Sequence, residues 1–334
     1  MKLGIAGTGK VVEQFLPVVK ELPEIEVTAI NSTPKSIDKA LAFKEAYNID
    51  QVYTDYTQFL NEADIDTVYV AVINNLHFSF AKEALLHGKH VICEKPFTMS
   101  QKELIELERL SIDYDLVLAE AVTGQFVENY GKIRELLPLL GDIKLIECNF
   151  SKYSSKYDSF TAGNVLPAFD AKNGGGALMD LNSSNIHFVV GLIGRPESVA
   201  YFPNIENSID TSGVLIMDYG NAKAVCMAAK NSTGKNGATI QGTKGTITVN
   251  SATNRITSFD ICTNDGYKEH FELNACHHKM GAEFKIFANW IDYGDTMYAE
   301  EHLAQSLTVM EVLDLAIADS ALKADPFWEP KMTF

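Results

Sequence analysis

The chain has 334 residues, more than one typical hydrophobic core accommodates, and this length predicts two domains. It carries 44 acidic and 28 basic residues, a formal net charge of −16, and no basic block reverses this locally. Such an acidic chain is expected to repel nucleic acid and anionic membrane surfaces, and no apolar run approaches membrane-spanning length.

The five cysteines are scattered, odd in number and without a closely spaced pair. This usage favours a reducing compartment over a disulfide framework. Because the sequence also begins directly on a strand pattern, we expect a soluble cytoplasmic protein. The run Cys276-His277-His278 contains metal-binding residue types, but no second ligand pair at metal spacing accompanies it, so no metal site is predicted.

The first 120 residues alternate short apolar strands with helical stretches. Strands are predicted at 2–6, before Asn31, and at 66–72, 89–93 and 116–119; helices are predicted after residue 9 and near 35–46, 77–87 and 100–113. This alternation is typical of βαβ units with right-handed crossovers. The predicted fold is therefore α/β, with an N-terminal Rossmann doubly wound parallel sheet over residues 1–120 and a ligand edge at the strand ends.

The turn between the first strand and the first helix reads GTGKVV, residues 7–12. In a dinucleotide-binding turn the first glycine makes the bend, the second lets the backbone approach the pyrophosphate, and a third small residue packs helix on strand. Valine at the third position weakens the motif, whereas its place between strand and helix supports it. We predict a dinucleotide on Gly7, Thr8, Gly9, Lys10 and Val11; a glycine turn without a ligand is the alternative.

The end of the second strand distinguishes NAD from NADP. An acidic residue there would bind the ribose 2′-hydroxyl and repel a 2′-phosphate. This chain has Asn31, Ser32, Thr33 and Lys35 instead. Hydroxyl and amide donors with one lysine tolerate the phosphate, although no arginine clamps it, so the expected cofactor is NADP or NAD, with NADP preferred.

Residues 71–100 read AVINNLHFSFAKEALLHGKHVICEKPFTMS, and LAEA follows at 118–121. Together with the glycine turn and TDYTQFLNEADIDTVYVAV, they resemble the glucose–fructose oxidoreductase / inositol dehydrogenase (Gfo/Idh/MocA) family over nearly the whole chain. Glu94-Lys95-Pro96 is the most specific element. The resemblance implies an NAD(P)-dependent oxidoreductase that moves a hydride between nicotinamide and a sugar, cyclitol or dihydrodiol-type alcohol or carbonyl.

Lys95 is the expected acid and base of that reaction. A lysine at the carboxyl end of a parallel strand points into the ligand crevice, where it can pass a proton at neutral pH; a solvated surface lysine is the alternative. His77 could also be a helix N-terminal residue with a satisfied ring. By resemblance, the cofactor side further includes Val72, Asn74, His77, Glu94, Lys95 and Gln125, the last standing where the family often has an arginine.

From about residue 120 the pattern changes to a helix at 129–140, a strand at 143–150 and then several alternating strands with tight turns. This predicts a C-terminal α+β domain over 121–334 with a largely antiparallel open sheet, closed by helices near 279–293 and 299–322. An open sheet with an apolar face usually needs covering. The family pairs such sheets between subunits, which implies a homodimer or homotetramer.

Residues 174–187 read GGGALMDLNSSNIH and fall where the family has its second-domain active-site helix. On a regular helix Asp180, Ser184 and His187 share one stripe, which is either catalytic or merely solvated. The family carries His or Tyr where this chain has Ser184. The resemblance makes Asp180 a catalytic partner or substrate anchor and Ser184 a spacer or weak donor, and it leaves His187 open between a direct and a structural role.

The segment 151–173 leads into that helix and is rich in Tyr, Ser and Asp. Tyr153 and Tyr157 are candidate contacts for a small polyhydroxylated substrate; an ordinary surface loop is the alternative. Because Ser184 replaces a proton donor, two other functions stay open. One is a catalytically attenuated dinucleotide-binding sensor or regulator on the same fold, and the weaker one is a purely structural or partner-binding protein.

Overall fold

The computed structural model describes residues 1–276, 278–294, 296–320 and 322. The described residues form two compact units: Met1–Ala121 together with those from Cys276 to Leu307, and Val122–Ala275 together with those from Thr308 onward. The predicted division assigned all of 121–334 to the second domain and did not include this return to the first unit. His277, from the Cys-His-His run, lies outside the described residues, as does part of the predicted helix at 299–322.

The first unit is built on six strands: β1 (Lys2–Ala6), β2 (Glu26–Asn31), β3 (Gln51–Tyr53), β4 (Thr67–Val70), β5 (His90–Glu94) and β6 (Leu118–Ala121). They form a parallel sheet in the order β3-β2-β1-β4-β5-β6. The direction of winding reverses between β1 and β4, and ligands of open α/β sheets bind at this switch point. The predicted Rossmann-type parallel sheet is confirmed.

The connections of this sheet are helical: α1 (Lys10–Val19), α2 (Ile37–Tyr47), α3 (Tyr56–Glu62), α4 (His77–Leu86) and α5 (Gln101–Asp113). Each of the predicted helices is present, with α2 preceded by a short 3-10 turn at Pro34–Ser36. The elements β3 and α3 were not predicted, because three strand residues and seven helical residues give little periodic signal.

The second unit contains the remaining strands: β7 (Ile143–Ser151), β8 (Ser198–Glu206), β9 (Ile209–Asp218), β10 (Lys223–Ala229), β11 (Gly237–Gly242), β12 (Gly245–Val249), β13 (Phe259–Thr263) and β14 (Lys268–Phe271). Their order is β14-β13-β12-β11-β7-β10-β9-β8. Within the described ranges, neighbouring strands are antiparallel except β10 beside β7. The predicted largely antiparallel sheet is confirmed.

Before β8, the described α-helices of this unit are α6 (Thr123–Phe126), α7 (Glu128–Leu136), α8 (Tyr157–Thr161) and α9 (Ser183–Ile193). Alternate residues of β9 and β10, among them Leu215 and Cys226, are fully buried on one face, and the residues between them are partly exposed on the other. This period of two is what a sheet with one covered face requires.

Two helices follow β14: α10 (Lys279–Tyr293) and α11 (Thr296–Asp319). The Phe284 ring of α10 lies 4.2 Å from the Phe15 ring and 5.0 Å from the Tyr69 ring, measured between centroids. Burial of these aromatic rings fixes α10 to the parallel sheet, which accounts for the return of the chain to the first unit. None of the described helices is both long and apolar enough to span a membrane.

Candidate functional site

The turn from β1 to α1 forms an open cradle. Gly7 has φ +119°, and a Cβ added to it would lie 2.3 Å from the Ala71 carbonyl oxygen, so only glycine fits there. A Cβ added to Gly9, the N-cap of α1, would meet only that same oxygen within 4 Å, at 3.9 Å. Val12 is fully buried at the packing position. The free space over Gly9 at a helix N-terminus fits the pyrophosphate of a dinucleotide.

The end of β2 separates the four predicted donors into two pairs. Asn31 and Ser32 are buried, and the Ser32 N–H donates to the Tyr53 carbonyl at 2.9 Å, which connects β2 to β3. Thr33 and Lys35 are exposed. No carboxylate occurs between residues 31 and 36. This edge therefore offers a hydroxyl and an ammonium group, a combination that fits a 2′-phosphate.

His77, the first residue of α4, is fully buried and makes two contacts with the backbone. Its Nδ1 lies 2.8 Å from the Pro96 carbonyl oxygen and its Nε2 lies 3.3 Å from that of Val72. Burial lowers the pKa of its ring. His77 thus joins the segment after β4, where Val72 and Asn74 are half-buried, to the segment after β5, in agreement with its structural alternative.

Lys95 directly follows β5 at the carboxyl edge of the parallel sheet and is half-buried. The preceding residue, Glu94, accepts a hydrogen bond from the Tyr69 hydroxyl at 2.5 Å. Burial raises the pKa of Glu94, against the opposing effects of the Tyr69 hydroxyl and the Lys95 charge. The motif therefore places a charged amine and a carboxyl side by side at the edge where ligands of this fold bind.

Two further carboxyl groups belong to this neighbourhood, and neither was predicted from the sequence. Glu120 of β6 and Glu283 of α10 are buried. Burial raises the pKa of Glu283 well above its ordinary value, the negative charges of Glu94 and Glu120 raise it further, and Lys279 opposes them. Within the described part of the chain, neither carboxylate oxygen of Glu283 has a hydrogen-bond partner. Since like charges in a low dielectric do not readily ionise together, this environment favours the protonated form of Glu283.

Glu283→Gln is expected to change how stability depends on pH. The folded-state pKa of Glu283 lies above the unfolded one, so wild-type stability falls as pH rises from the ordinary glutamate range through the raised pKa. Glutamine removes this loss. The free energy of unfolding in urea, relative to that of the wild type, should therefore increase between pH 4 and pH 8, by at most about 1.4 kcal/mol per pH unit.

The exposed Glu45 of α2 provides the matched control. Glu45→Gln should leave the free energy of unfolding parallel to that of the wild type at every pH. If the Glu283→Gln curve is also parallel to the wild-type curve, Glu283 does not carry the buried proton.

In the second unit, Asp180 lies in a π-helical turn, Leu178–Asn182, that precedes α9. This turn departs from regular α-helical geometry. The Asp180 side chain is 35% exposed, whereas Ser184 is 6% exposed and His187 is 1% exposed. The expectation of one polar stripe shared by these three residues is therefore wrong. Only Asp180 presents its polar group to solvent.

The polar residues around α9 explain why the stripe was misleading. The Asn182 side-chain amide donates to the Cys226 carbonyl at 3.1 Å, and that of Asn185 donates to the Met227 carbonyl at 3.0 Å. The Gln125 amide donates to the His187 carbonyl at 3.0 Å, with its nitrogen 3.5 Å from the His187 Nδ1. Buried polar groups that bond to backbone have the same sequence pattern as a solvated face.

The two predicted substrate tyrosines bond to acidic neighbours. The Tyr153 hydroxyl donates to Asp158 Oδ1 at 2.5 Å, and the Tyr157 hydroxyl donates to Glu206 Oε2 at 2.7 Å. The Tyr157 ring packs against the buried Phe169, in a small aromatic core. The segment is thus more ordered than its sequence indicated, and Tyr153 is the more exposed of the two tyrosines.

Asp180 also has a partner that the sequence did not indicate. The Lys230 Nζ lies 2.8 Å from Asp180 Oδ2. No local signal could have found the pair, because the two residues are 50 positions apart. Among the described residues, no group of three or more His, Cys, Asp or Glu side chains is arranged to hold a metal ion.

These features define a class of protein: a dinucleotide-binding parallel domain with a lysine at its ligand edge, followed by an α+β domain with an open sheet. The pattern of the oxidoreductase family with an NAD-binding Rossmann fold matches residues 1–121, and that of the GFO/IDH/MocA C-terminal domain matches residues 131–248. The chain belongs to the Gfo/Idh/MocA family of oxidoreductases, which confirms the resemblance and the assignment as an enzyme.

Two relatives align over nearly the full chain. The scyllo-inositol 2-dehydrogenase (NADP(+)) of Bacillus subtilis (strain 168) is 30% identical over 317 residues, 95% of this chain and 96% of that one. The trans-1,2-dihydrobenzene-1,2-diol dehydrogenase of Xenopus tropicalis is 29% identical over 331 residues, which cover 97% of this chain and 94% of that one. A 3-ketoreductase from Actinomadura kijaniata, solved with NADP and TDP-benzene, shares the fold, with TM-score 0.82, 22% identity, and 96% and 97% of the two chains covered.

Proposed function

We propose that the protein is an NADP-dependent oxidoreductase that transfers a hydride between nicotinamide and a carbon of a cyclitol, sugar or dihydrodiol. The observation that carries the proposal is Lys95, half-buried at the ligand edge of the same unit that holds the open cradle at Gly9. The full-length relatives that act on an inositol and on a dihydrodiol support this substrate class.

The cofactor would be held by residues of the first unit. The backbone from Gly7 to Val11 fits the pyrophosphate, and the exposed Thr33 and Lys35 fit the 2′-phosphate. Val72, Asn74 and Glu94 are proposed for the nicotinamide end, with His77 supporting them through the backbone. When bound, the nicotinamide supplies or accepts the hydride.

The protein's own side chains would manage the proton and hold the substrate. Lys95 donates a proton to the substrate oxygen when a carbonyl is reduced, and accepts one when an alcohol is oxidised. Asp180 accepts a hydrogen bond from a substrate hydroxyl, and the partly exposed Tyr153 is a further candidate contact. Ser184, which is buried, leaves room rather than supplying a proton.

The test is steady-state turnover of scyllo-inositol, other inositols and a trans-dihydrodiol with NADP⁺ and with NAD⁺. We expect turnover of at least one of them, with kcat/KM at least about tenfold higher for NADP⁺, since a charge-assisted phosphate contact has that value. Lys35→Ala should reduce this preference, whereas Lys39→Ala, on a lysine paired with Glu13, should not. Tight NADPH binding without turnover of any member would contradict the proposal and favour a sensor or regulator.

We also propose a cytoplasmic homo-oligomer formed through the open face of the second unit's sheet. The face carries Phe202, which is 61% exposed and pairs across the strands with Val214 and then Met227. An apolar row of this kind is typical of an interaction surface. None of the five cysteines, all of which lie in the described part of the chain, forms a disulfide, which supports a reducing compartment. Light scattering in solution distinguishes a dimer or tetramer from a monomer.

A further inference from the structure

Lys230 is a buried ammonium group in the second unit. It directly follows β10 and is 2% exposed. Its backbone is fixed on both sides, because its N–H donates to the Thr211 carbonyl at 2.7 Å and its carbonyl accepts from the Ser154 N–H at 2.8 Å. Lysine is almost never fully buried without partners, so its surroundings indicate what it is there to hold.

Three groups surround the ammonium. Its Nζ lies 2.8 Å from Asp180 Oδ2 and 2.5 Å from the Ala168 carbonyl oxygen, and it lies 4.7 Å from the centre of the Phe169 ring. These partners come from the turn before α9 and from the segment that leads into it. Because an ammonium group has only donors, and the backbone oxygen and the ring hold it in place, its position fixes the position of the carboxylate.

The two members of the ion pair differ in access to solvent. The Lys230 side chain is 3% exposed, whereas that of Asp180 is 35% exposed. A second carboxyl group, Asp210, is buried, and burial raises its pKa to about 6. The opposing effects are hydrogen bonds that it accepts from the Tyr201 hydroxyl and the Leu178 N–H, both at 2.6 Å, and the charge of Lys230. The Lys230 ammonium is therefore held by buried groups, whereas its partner Asp180 is partly open to solvent.

We propose that Lys230 is a positioning residue that holds Asp180 as an oriented carboxylate, so that Asp180 accepts a hydrogen bond from a substrate hydroxyl. This deepens the proposed function and rests on it. An opposite charge at hydrogen-bond distance favours the ionised form of a carboxyl, and an ionised carboxylate only accepts hydrogen bonds. The recognised chemistry is then a substrate hydroxyl, as in polyols, and not a second carboxylate.

The experiment is a double-mutant cycle of Lys230→Met, Asp180→Asn and both together, with the polyol that the wild type turns over. Lys230→Met should lower kcat/KM by about 10- to 100-fold, mainly by raising KM, because a charge-assisted hydrogen bond is lost. In the Asp180→Asn background the same change should have less than about a threefold effect, since its target is gone. If Lys230 had only a structural role, Lys230→Met would lower kcat/KM by the same factor in the wild-type and Asp180→Asn backgrounds, and that result would overturn the proposal.

Lys230→Gln keeps a donor for the Ala168 carbonyl but carries no charge, and it serves in the same cycle if the methionine variant does not fold. Lys223→Met is the matched control, because Lys223 begins the strand that Lys230 follows, is partly exposed and pairs with Asp218. It should leave kcat/KM unchanged. Absence of wild-type turnover would overturn the proposed function itself. Wild-type turnover with unaffected Lys230 variants would overturn only the role of Lys230.

Discussion

Lys95→Ala is expected to lower kcat by about 10²- to 10⁴-fold, the usual contribution of a positioned acid or base, while the dissociation constant of NADPH changes little. Lys95 occupies the carboxyl edge of β5 beside Glu94, and its amine is the proposed group that moves the proton. Alanine removes that group but leaves the glycine cradle untouched. Steady-state kinetics and a fluorescence titration with NADPH measure the two quantities separately.

Two further variants isolate proton transfer from charge. Lys95→Arg keeps the positive charge but cannot release its proton at neutral pH, so its kcat should stay close to that of the alanine variant. Lys102→Ala, on the exposed face of α5, should behave as the wild type. A Lys95→Ala enzyme with kcat within about tenfold of the wild type would remove Lys95 from the chemistry.

Local patterns predicted most of the architecture. The strands of the parallel sheet are short apolar runs between helical stretches, and those of the second sheet alternate with period two, so both signals are present within a few residues. The packing of α10 was not predictable in this way. Its contacts join Phe284 to Phe15 and Tyr69, which are distant in sequence, and only the folded chain shows them.

In the candidate site too, residues of local motifs were predictable from the sequence, whereas contacts between distant residues were not. Gly7, Gly9 and Lys95 belong to compact motifs, and the sequence placed them correctly at the turn after β1 and the end of β5. Glu283 beside Glu94, and Lys230 beside Asp180, are pairs brought together by tertiary structure alone.

The predicted polar stripe around Asp180 was wrong for another reason. Helical periodicity assumes a uniform turn, and the π-helical turn at Leu178–Asn182 breaks that assumption. Periodicity also reports polarity and not exposure, and the polar residues of α9 bond to neighbouring backbone. His187 and Ser184 therefore belong to the interior of the second unit.

Gly9→Ala is expected to weaken NADPH binding by about 10- to 100-fold without destabilising the protein. The added methyl group meets only the Ala71 carbonyl oxygen, at 3.9 Å, so the free protein accommodates it. The same methyl group fills the space that the pyrophosphate needs in order to approach the backbone N–H groups of α1, and charge-assisted hydrogen bonds of this kind account for the expected loss. Thermal unfolding without nucleotide, followed by an NADPH titration, tests both halves of the prediction.

Gly7→Ala gives the contrasting result two residues away. At φ +119° alanine strains the backbone, and its Cβ would lie only 2.3 Å from the Ala71 carbonyl oxygen, just after β4. The free energy of unfolding should therefore fall by about 3 kcal/mol or more even without nucleotide. The pair separates a glycine required by the fold from a glycine required by the ligand. If the Gly9→Ala variant binds NADPH as tightly as the wild type, the turn is only a structural bend, and the pyrophosphate does not bind at Gly9.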